Sequence, residues 1–508
     1  MAAREIPVLV VGGGAAGSVL ALELARHGVE ARVVDRLPGP APTSRAITVH
    51  ARTAELMERV DRRLVDRFLA RGIPSPGYVL HFVDEAGRRD VRQGMDFRGL
   101  DSRYPYCLIH RQDESEAAVR DYLAAEYGRT IEWNRRCTAI ETRPDGVLAV
   151  LQHADDGREE RVFCRYLVAA DGANSRLRAM AGLAQAGDAV HGMVLQNMDA
   201  FLDGFPDDGE WVHYCAGQDH FIMIARLPGG FHRLLLSDRG EAAAPGLAPK
   251  SAFQAVMDRH FDGVRIGGVV WHSVWDHALK LADHYRAGPL FLAGDSAHVH
   301  PTTGGQGMNC CMQDAFNLGW KLAMVEKGLL KPSILDSYER ERRPVAEQVL
   351  WAAASLQDVF MGHGRDIRAR STAAQDPQWL KAIVDRCSGI SYTYRSDGDA
   401  AAPGLVAGDR APDADLAGGA RLFDLMRHPG FTLLAFDPSL EGDMAALERG
   451  FGRLLKARCV PPTPETERHY GKGREAGLVL IRPDGYIACR AAAGRIDVMS
   501  LYLAGIAA

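Results

Sequence analysis

Ile6-Pro-Val-Leu-Val-Val-Gly-Gly-Gly-Ala-Ala-Gly17 runs from a β-rich apolar segment into a glycine cluster. Gly12, Gly14 and Gly17 fit the spacing G-x-G-x-x-G. Residues 18–27 follow with Val19, Leu20, Leu22 and Leu24 at helix-compatible spacing, and Gly28 stands where a helix ends on glycine. Ala31-Arg-Val-Val-Asp35 reads as a second strand. A βαβ unit opened this way takes a dinucleotide. Its first glycine permits a tight turn, its second lets backbone approach a pyrophosphate, and its third lets helix and strand pack closely. Ala15 and Ala16 open the helix, whose free N–H groups and positive dipole end would meet the phosphates. Asp35, about 20 residues on, is placed to accept hydrogen bonds from ribose hydroxyls. A purely structural glycine turn has the same letters. The ordered strand, helix, strand and acid favour the dinucleotide and leave FAD and NAD open.

The chain has 508 residues and a mass of 55.4 kDa, a length that leads one to expect roughly three domains. Hydrophobic residues at 47% and charged residues at 25% are an ordinary globular balance, and such a chain buries a large core without disulfides or metals. The net charge of -5 argues against a nucleic-acid or membrane-surface binder, which needs a positive field. The basic run Arg340-Glu341-Arg342-Arg343 lies in a helical pattern and reads as a solvated face. No apolar run approaches the ~18 residues of a membrane span. The first apolar stretch is broken by glycines and then Glu23, unlike a signal peptide. Nine Cys without a Cys-x-x-Cys pair read as buried thiols in a reducing cytoplasm. His298 and His300 have no carboxylate or Cys cluster beside them in the sequence, so they read as structural and no metal is expected.

Further along, 52–60 and 112–126 read as helices, and 79–83, 139–141, 147–151 and 166–170 as strands. Between about 185 and 285 the pattern changes to short alternating strands such as 220–225 and 232–236, the mark of an inserted antiparallel sheet. Residues 289–293 return to a buried strand, and a long helical region follows Gly307, broken at 328–332. Met312, Phe316, Trp320 and Met324 form an i, i+4 stripe that reads as core. Residues 400–412 read as a linker, with a separate small α/β unit beyond.

Two segments choose between the dinucleotides. Leu290-Phe-Leu-Ala-Gly-Asp-Ser-Ala-His298 places Asp295 just after a strand, and Pro301-Thr-Thr-Gly-Gly-Gln-Gly-Met-Asn309 leads into a helix. With Gly12 to Gly17, Ser44-Arg45-Ala46, Gln112 to Glu116, Asp171-Gly172, Gln313 to Leu318 and Trp320-Lys-Leu322, the sequence resembles the class A flavoprotein monooxygenases built on the para-hydroxybenzoate hydroxylase fold. The tail, through Gly408-Asp-Arg-Ala-Pro412 and Leu480 to Tyr486, resembles the thioredoxin-like domain of the phenol hydroxylase and aromatic polyketide hydroxylase branch. It lacks the Cys-x-x-Cys of a working thioredoxin, so a structural or subunit-contact role is expected. Thr302, Cys310 and Cys311 depart from the family's common letters, and the cysteines read as small buried residues.

The resemblance implies an α/β fold with a Rossmann-like FAD-binding domain at 1–75, 105–184 and 286–398. It implies a substrate domain at 76–104 and 185–285, and a thioredoxin-like domain at 399–508. Asp35 and Arg36 would hold the adenosine ribose, Arg45 and Gln112 the ribityl and phosphate region, and Asp295 the ribityl chain or pyrophosphate. The backbone at Gly307, Met308 and Asn309 would face the flavin pyrimidine, where a helix N-terminus favours the negative charge of reduced flavin. Asp171 would sit where FAD and pyridine-nucleotide binding are coupled. No second G-x-G-x-x-G is present, in keeping with NADPH or NADH as a transient co-substrate. The implied reaction is hydroxylation of a phenolic or polycyclic aromatic substrate by O2 through a flavin C4a-hydroperoxide. His191, His213, Tyr214, His220 and His232 lie in the substrate region, and His213 and Tyr214 are the chosen candidates for a base that removes a phenol proton. Baeyer–Villiger insertion into a ketone is the alternative on the same scaffold. A halogenase, whose Trp-x-Trp-x-Ile-Pro signature is missing, and a non-catalytic flavoprotein rank below it. A small aromatic substrate and O2 are the expected partners, with a homodimer as the candidate assembly.

Overall fold

The computed structural model describes residues 4–508 except 42–43, 188, 207–209, 239–247, 301, 363–365, 400–401 and 473–474. Pro301 and the start of the 400–412 linker therefore lie outside the described residues.

The Arg4–Val11 strand lies between Ala31–Val34 and Glu159–Ala169, parallel to both. Glu159–Ala169 in turn runs parallel to Leu290–Leu292. Val8, Leu9, Val10, Leu167, Val168, Leu290 and Leu292 are all fully buried. This accounts for the continuous apolar runs, because parallel strands are covered on both faces. Gly146–His153 and Arg135–Arg143 extend the sheet with antiparallel pairing. The helix Ala15–Arg26 covers it and packs on Gly307–Glu326.

A second sheet has seven strands, ordered Arg265–Ala278, Ala189–Asp203, His232–Asp238, His220–Arg226, Val212–Ala216, Gly77–Val83 and Arg89–Asp96. The antiparallel expectation needs one correction: Val212–Ala216 runs parallel to Gly77–Val83. These two strands come from insertions far apart in the chain, so no hairpin dictates their relative direction. One face carries the helix Pro249–His260, with Phe253, Val256 and Met257 against Ile222, Ile224, Leu234 and Leu236. The other face, with Tyr78, Tyr214, Phe221, Met223 and Leu235, packs on Leu356 and Phe360 of the long helix Ser337–Met361.

The C-terminal sheet is ordered Leu455–Cys459, Phe431–Ala435, Leu478–Ile481, Ile487–Ala491. It has a core of its own in Leu422, Phe423, Val460 and Ile481, and its other face shares a core with the nucleotide domain. That shared core of Phe431, Leu433 and Leu480 also contains Trp320, Met324 and Leu330, whereas Met312 and Phe316 of the same helix belong to the nucleotide-domain core. The stripe read as core packing is core, but it serves two domains in turn. Cys459 and Cys489 stand on opposite edge strands. The Arg340–Arg343 run also needs correction. Arg342 is fully buried and its Nε donates to Asp314 Oδ1 at 2.7 Å, so this one side chain of the run faces inward while Arg340 is exposed. No described helix is long and apolar enough to cross a membrane.

Trp320→Ala should therefore weaken both domains together. It empties a site in the shared core and removes the Nε1–H donor to Asp484 Oδ2, at a cost of about 3–5 kcal/mol. Denaturant unfolding should show one transition at a lower midpoint. An unfolding curve in which one domain keeps the wild-type midpoint would contradict a shared core.

Candidate active site

Val11, Ala169 and Leu292 are level across three parallel strands. The chain turns that follow them, at Gly12, Asp171 and Gly294, thus emerge side by side at the carboxyl edge of the sheet, where open α/β sheets bind ligands. Gly12 has φ +113°, and a Cβ there would lie 2.0 Å from Ala170 O. A Cβ on Gly17 would lie 1.8 Å from Gly12 O, so the third glycine is demanded by helix–strand packing. Gly14 differs: a Cβ would meet nothing nearer than Glu116 Oε1 at 3.7 Å. The open side of the turn is therefore at the second glycine, and no side chain caps the helix that starts with Ala15, Ala16 and Gly17. That cradle fits a pyrophosphate. Burial raises the Glu116 carboxyl above its usual range, with Gln112 and Arg120 opposing the shift.

Asp35 follows the second strand and accepts the Gly13 N–H at 2.7 Å and the Leu37 N–H at 2.9 Å. It braces the glycine turn, and Arg36 beside it is exposed. Asp171 accepts from Ser296 Oγ at 3.3 Å, which ties its turn to Gly294–Ser296. Gly294, with φ +64°, is wedged against the nucleotide helix, since a Cβ would come within 3.0 Å of Ala16 Cβ. Asp295 is exposed there and accepts from Cys311 Sγ at 3.2 Å. Gln112 starts the helix Gln112–Tyr127 and clips the 44–46 segment. Its N–H donates to Ala46 O and Ser44 Oγ, and its Oε1 accepts the Ala46 N–H at 3.3 Å. Arg45 projects from this clipped segment and is exposed.

The Gly307–Glu326 helix also begins without a side-chain cap. Asn309 in its first turn donates to Thr48 O and Gly305 O and accepts the His50 N–H at 2.9 Å. His50 Nε2 lies 2.9 Å from Gly304 O. The segment before Gly307 is thus held from the strand Thr48–Val49 and its neighbour His50, and the N–H groups of Gly307 and Met308 open the helix. Glycine turn, Asp295 and this helix start form one continuous edge that fits an extended FAD.

The second sheet separates the two candidate bases. Neighbouring residues of a strand face opposite sides. Tyr214 faces the glycine segment, and its hydroxyl accepts the Gly304 N–H at 3.4 Å. His213 faces the helix Pro249–His260 instead. Its Nδ1 lies 2.9 Å from His81 Nε2, and its ring contacts Phe205 and Phe261. His220 and His232 share that far face, His220 against His260 at 2.9 Å and His232 against Phe205. Burial pushes His220 down to about 4. The side chain of His191 lies outside the described residues. Burial also raises the Tyr214 phenol well above its ordinary value, so it keeps its proton.

Sequence reasoning missed three polar groups on the Tyr214 side. Arg233 and Asp199 form a fully buried ion pair on neighbouring strands. Arg233 also donates to Arg45 O at 3.1 Å and stacks over Trp271 at 5.0 Å. Asn197, two residues from Asp199 on the same strand, is buried with its Nδ2 unpartnered. The signal was an isolated charge in each of two apolar strands. The fold also brings Cys310 within reach of His298 and His300, which the sequence had left alone. Their ligating atoms lie within 4.8 Å of one another. Two of the three are already engaged: His298 Nε2 lies 2.7 Å from Asp314 Oδ2, and the cation of Arg342 lies 3.6 Å from Cys310 Sγ, while His300 stacks on His298. A cavity of about 500 Å3 opens elsewhere, between residues 99–103 and the tail's Asp413, Arg421, Glu465 and Arg468. It has side chains of both charge signs and none of the glycine turns.

Comparison with known proteins agrees with this geometry. Residues 5–353 match the family described as FAD binding domain, and residues 405–504 match aromatic-ring hydroxylase, C-terminal. The chain is 38% identical over 521 residues to pentachlorophenol 4-monooxygenase of Sphingobium chlorophenolicum, covering 97% of this chain and 95% of that one. It is 33% identical over 518 residues to 6-methylpretetramide 4-monooxygenase of Streptomyces rimosus, covering 95% and 90%. The solved structure of OxyS anhydrotetracycline hydroxylase from Streptomyces rimosus aligns with a TM-score of 0.79 at 26% identity over 98% of both chains. The chain belongs to the FAD-dependent aromatic-ring monooxygenases of the class A flavoprotein group.

Proposed function

We propose that this enzyme hydroxylates a phenolic ring, held between the 304–309 segment and the sheet face that carries Tyr214. NADPH or NADH serves as the passing reductant in this reading. The observation that carries it is the Tyr214 hydroxyl, which accepts the Gly304 N–H from a face otherwise lined by Tyr78, Phe221, Met223 and Leu235. A largely apolar, aromatic face with an oriented hydroxyl suits a flat ring that bears an oxygen. The names of the relatives, a chlorophenol monooxygenase and polyketide monooxygenases, support ring hydroxylation over ketone insertion.

When bound and reduced, FAD supplies the activation of O2 and the transfer of one oxygen atom to the ring. The protein's part is binding and polarity. The glycine cradle and Asp295 would hold the cofactor's phosphate and ribityl region, and the start of the Gly307–Glu326 helix would face the pyrimidine. Because the Tyr214 oxygen accepts the Gly304 N–H, its own O–H can still donate to a substrate oxygen. A hydrogen bond donated to a phenolate favours the ionised form, and a phenolate is the better nucleophile toward an electrophilic oxygen. Tyr214 thus acts as a donor and not as the base first expected, and His213, on the far face, supports the sheet.

Asp295→Ala should purify with reduced flavin, since a lost hydrogen-bond acceptor weakens cofactor binding by about 1–3 kcal/mol. Flavin content equal to wild type would count against its role. Tyr214→Phe should lower kcat/KM for phenols by roughly 10–100-fold, whereas folded His213→Gln should stay within about threefold of wild type. Equal losses in the two variants would sink the assignment. A screen of phenols and ketones with isotope-labelled O2 should give label in a ring hydroxyl, and a labelled ester would reverse the choice of reaction.

A further inference from the structure

Arg342 is fully buried, lies outside the segments assigned to the cofactor, and ends in a network that reaches the Gly294 turn. Its Nε donates to Asp314 Oδ1 at 2.7 Å. The other Asp314 oxygen accepts the Gly294 N–H at 3.1 Å and lies 2.7 Å from His298 Nε2. Asp314 therefore has both oxygens committed, one to Arg342 and one to the turn that presents Asp295. Arg342 Nη2 also reaches Cys310 O at 3.5 Å, in the first turn of the Gly307–Glu326 helix. The network thus touches both segments assigned to the FAD, the Gly294 turn and the helix start.

The remaining nitrogen points the other way. Arg342 Nη1 donates to the Tyr394 hydroxyl at 3.1 Å, and the Tyr394 ring stacks on Tyr486 with centroids 4.0 Å apart and planes at 30°. Tyr486 ends the tail's Pro483-Asp484-Gly485 turn. That turn is clamped to the nucleotide domain: Arg52 Nη2 donates to Asp484 O at 2.6 Å, Arg59 Nη2 to Pro483 O at 2.9 Å, and Trp320 Nε1 to Asp484 Oδ2 at 3.1 Å. A guanidinium is a rigid planar fork, and fixing its plane fixes the directions of all its hydrogen bonds. The tail's aromatic stack sets that plane from one side and Asp314 from the other.

We propose that Arg342 is a positioning residue for the cofactor, oriented by the C-terminal domain through Tyr486 and Tyr394, and that it aims the Gly294-Asp295 turn through Asp314. The proposal rests on the reading that Asp295 contacts FAD. It gives the tail, which has no Cys-x-x-Cys, a task in FAD binding that needs no redox chemistry of its own.

The test measures FAD dissociation constants, flavin midpoint potential and apoprotein melting for Tyr394→Phe, Tyr486→Leu, Arg342→Lys and Asp295→Ala in the full chain. Tyr394→Phe removes one hydroxyl and leaves the stack, so it should melt near wild type yet bind FAD about tenfold more weakly. It should also shift the flavin potential and raise the share of NAD(P)H oxidised without product. Arg342→Lys keeps the charge but loses the fork, and should bind FAD more weakly still. In a double-mutant cycle, Tyr394→Phe and Asp295→Ala should be non-additive, because both act through one turn. If Arg342→Lys fails to fold, Tyr394→Phe and Tyr486→Leu decide alone. Asp295→Ala with wild-type FAD affinity would overturn the site reading. Weak binding by Asp295→Ala with wild-type affinity and potential in Tyr394→Phe and Tyr486→Leu would overturn the relay alone, as would lower melting temperatures with affinity unchanged.

Discussion

The level alignment of Val11, Ala169 and Leu292 across three parallel strands is the constraint from which the rest of this enzyme follows. The strands come from positions separated by well over a hundred residues, and only their shared register brings three short turns to one edge. Parallel strands offer evenly spaced backbone bonds and bury both faces. A one-residue slip would turn every side chain of a strand to the other face, so the apolar packing that holds the register also holds the site. Gly12 and Gly17 tighten this edge further, since each stands where backbone oxygen leaves no room for a side chain. Gly294 repeats the device against Ala16, and so couples the phosphate end of the site to the turn that carries Asp295.

Across from this edge, the two-residue period of a strand sorts chemistry from scaffolding. Tyr214 and His213 are neighbours in the chain and lie on opposite faces of a sheet. The far face collects His81, His213, His220 and His232 beneath a helix, and burial there pushes His81 down to about 3 and His220 to about 4. The near face has few polar groups, and each is oriented. Tyr214 takes a backbone N–H, and Arg233 and Asp199 satisfy one another while Arg233 also grips the Arg45 carbonyl. A buried ion pair adds little net stability compared with apolar packing. What this one does add is a fixed relation between the substrate sheet and the segment that carries Arg45.

The glycine turn was legible from the chain because glycine positions report backbone geometry directly: Gly12 and Gly17 stand where backbone oxygen leaves no room for a Cβ, and Gly14 where the turn is open. Gly294-Asp295 and 304–309 were legible as segments of the family for the same reason. Which of His213 and Tyr214 lies toward Gly304 was not legible, since alternation shows that two faces exist but not which one looks at the 304–309 segment. Arg342 was misread because a basic run in a helix has the letters of a solvated face. The partner that makes its burial tolerable, Asp314, sits on another helix. The shared core that attaches the tail was not legible for a related reason. Trp320 and Met324 continue a regular apolar stripe, and nothing in a stripe tells where one core ends and the next begins.

The seam between the tail and the nucleotide domain is unusually rich in charge. Arg482 pairs with Glu341 and Asp484, Lys321 with Glu341, and Arg410 with Glu55, nearly all of them buried. Apolar contacts alone would stabilise this seam as well or better, because desolvating each ion has an energetic penalty that its pairing only offsets. Apolar contacts also tolerate sliding, whereas forked arginines bonded to carboxylates accept one relative placement. The Trp320 and Met324 contacts already supply a hydrophobic attachment, so the charged pairs are best understood as setting its register. A register of this kind matters only if something nearby depends on position to a fraction of an ångström. In the proposed relay that element is the Gly294 turn, reached from Tyr486 through Tyr394, Arg342 and Asp314, because the turn aims the Asp295 carboxylate.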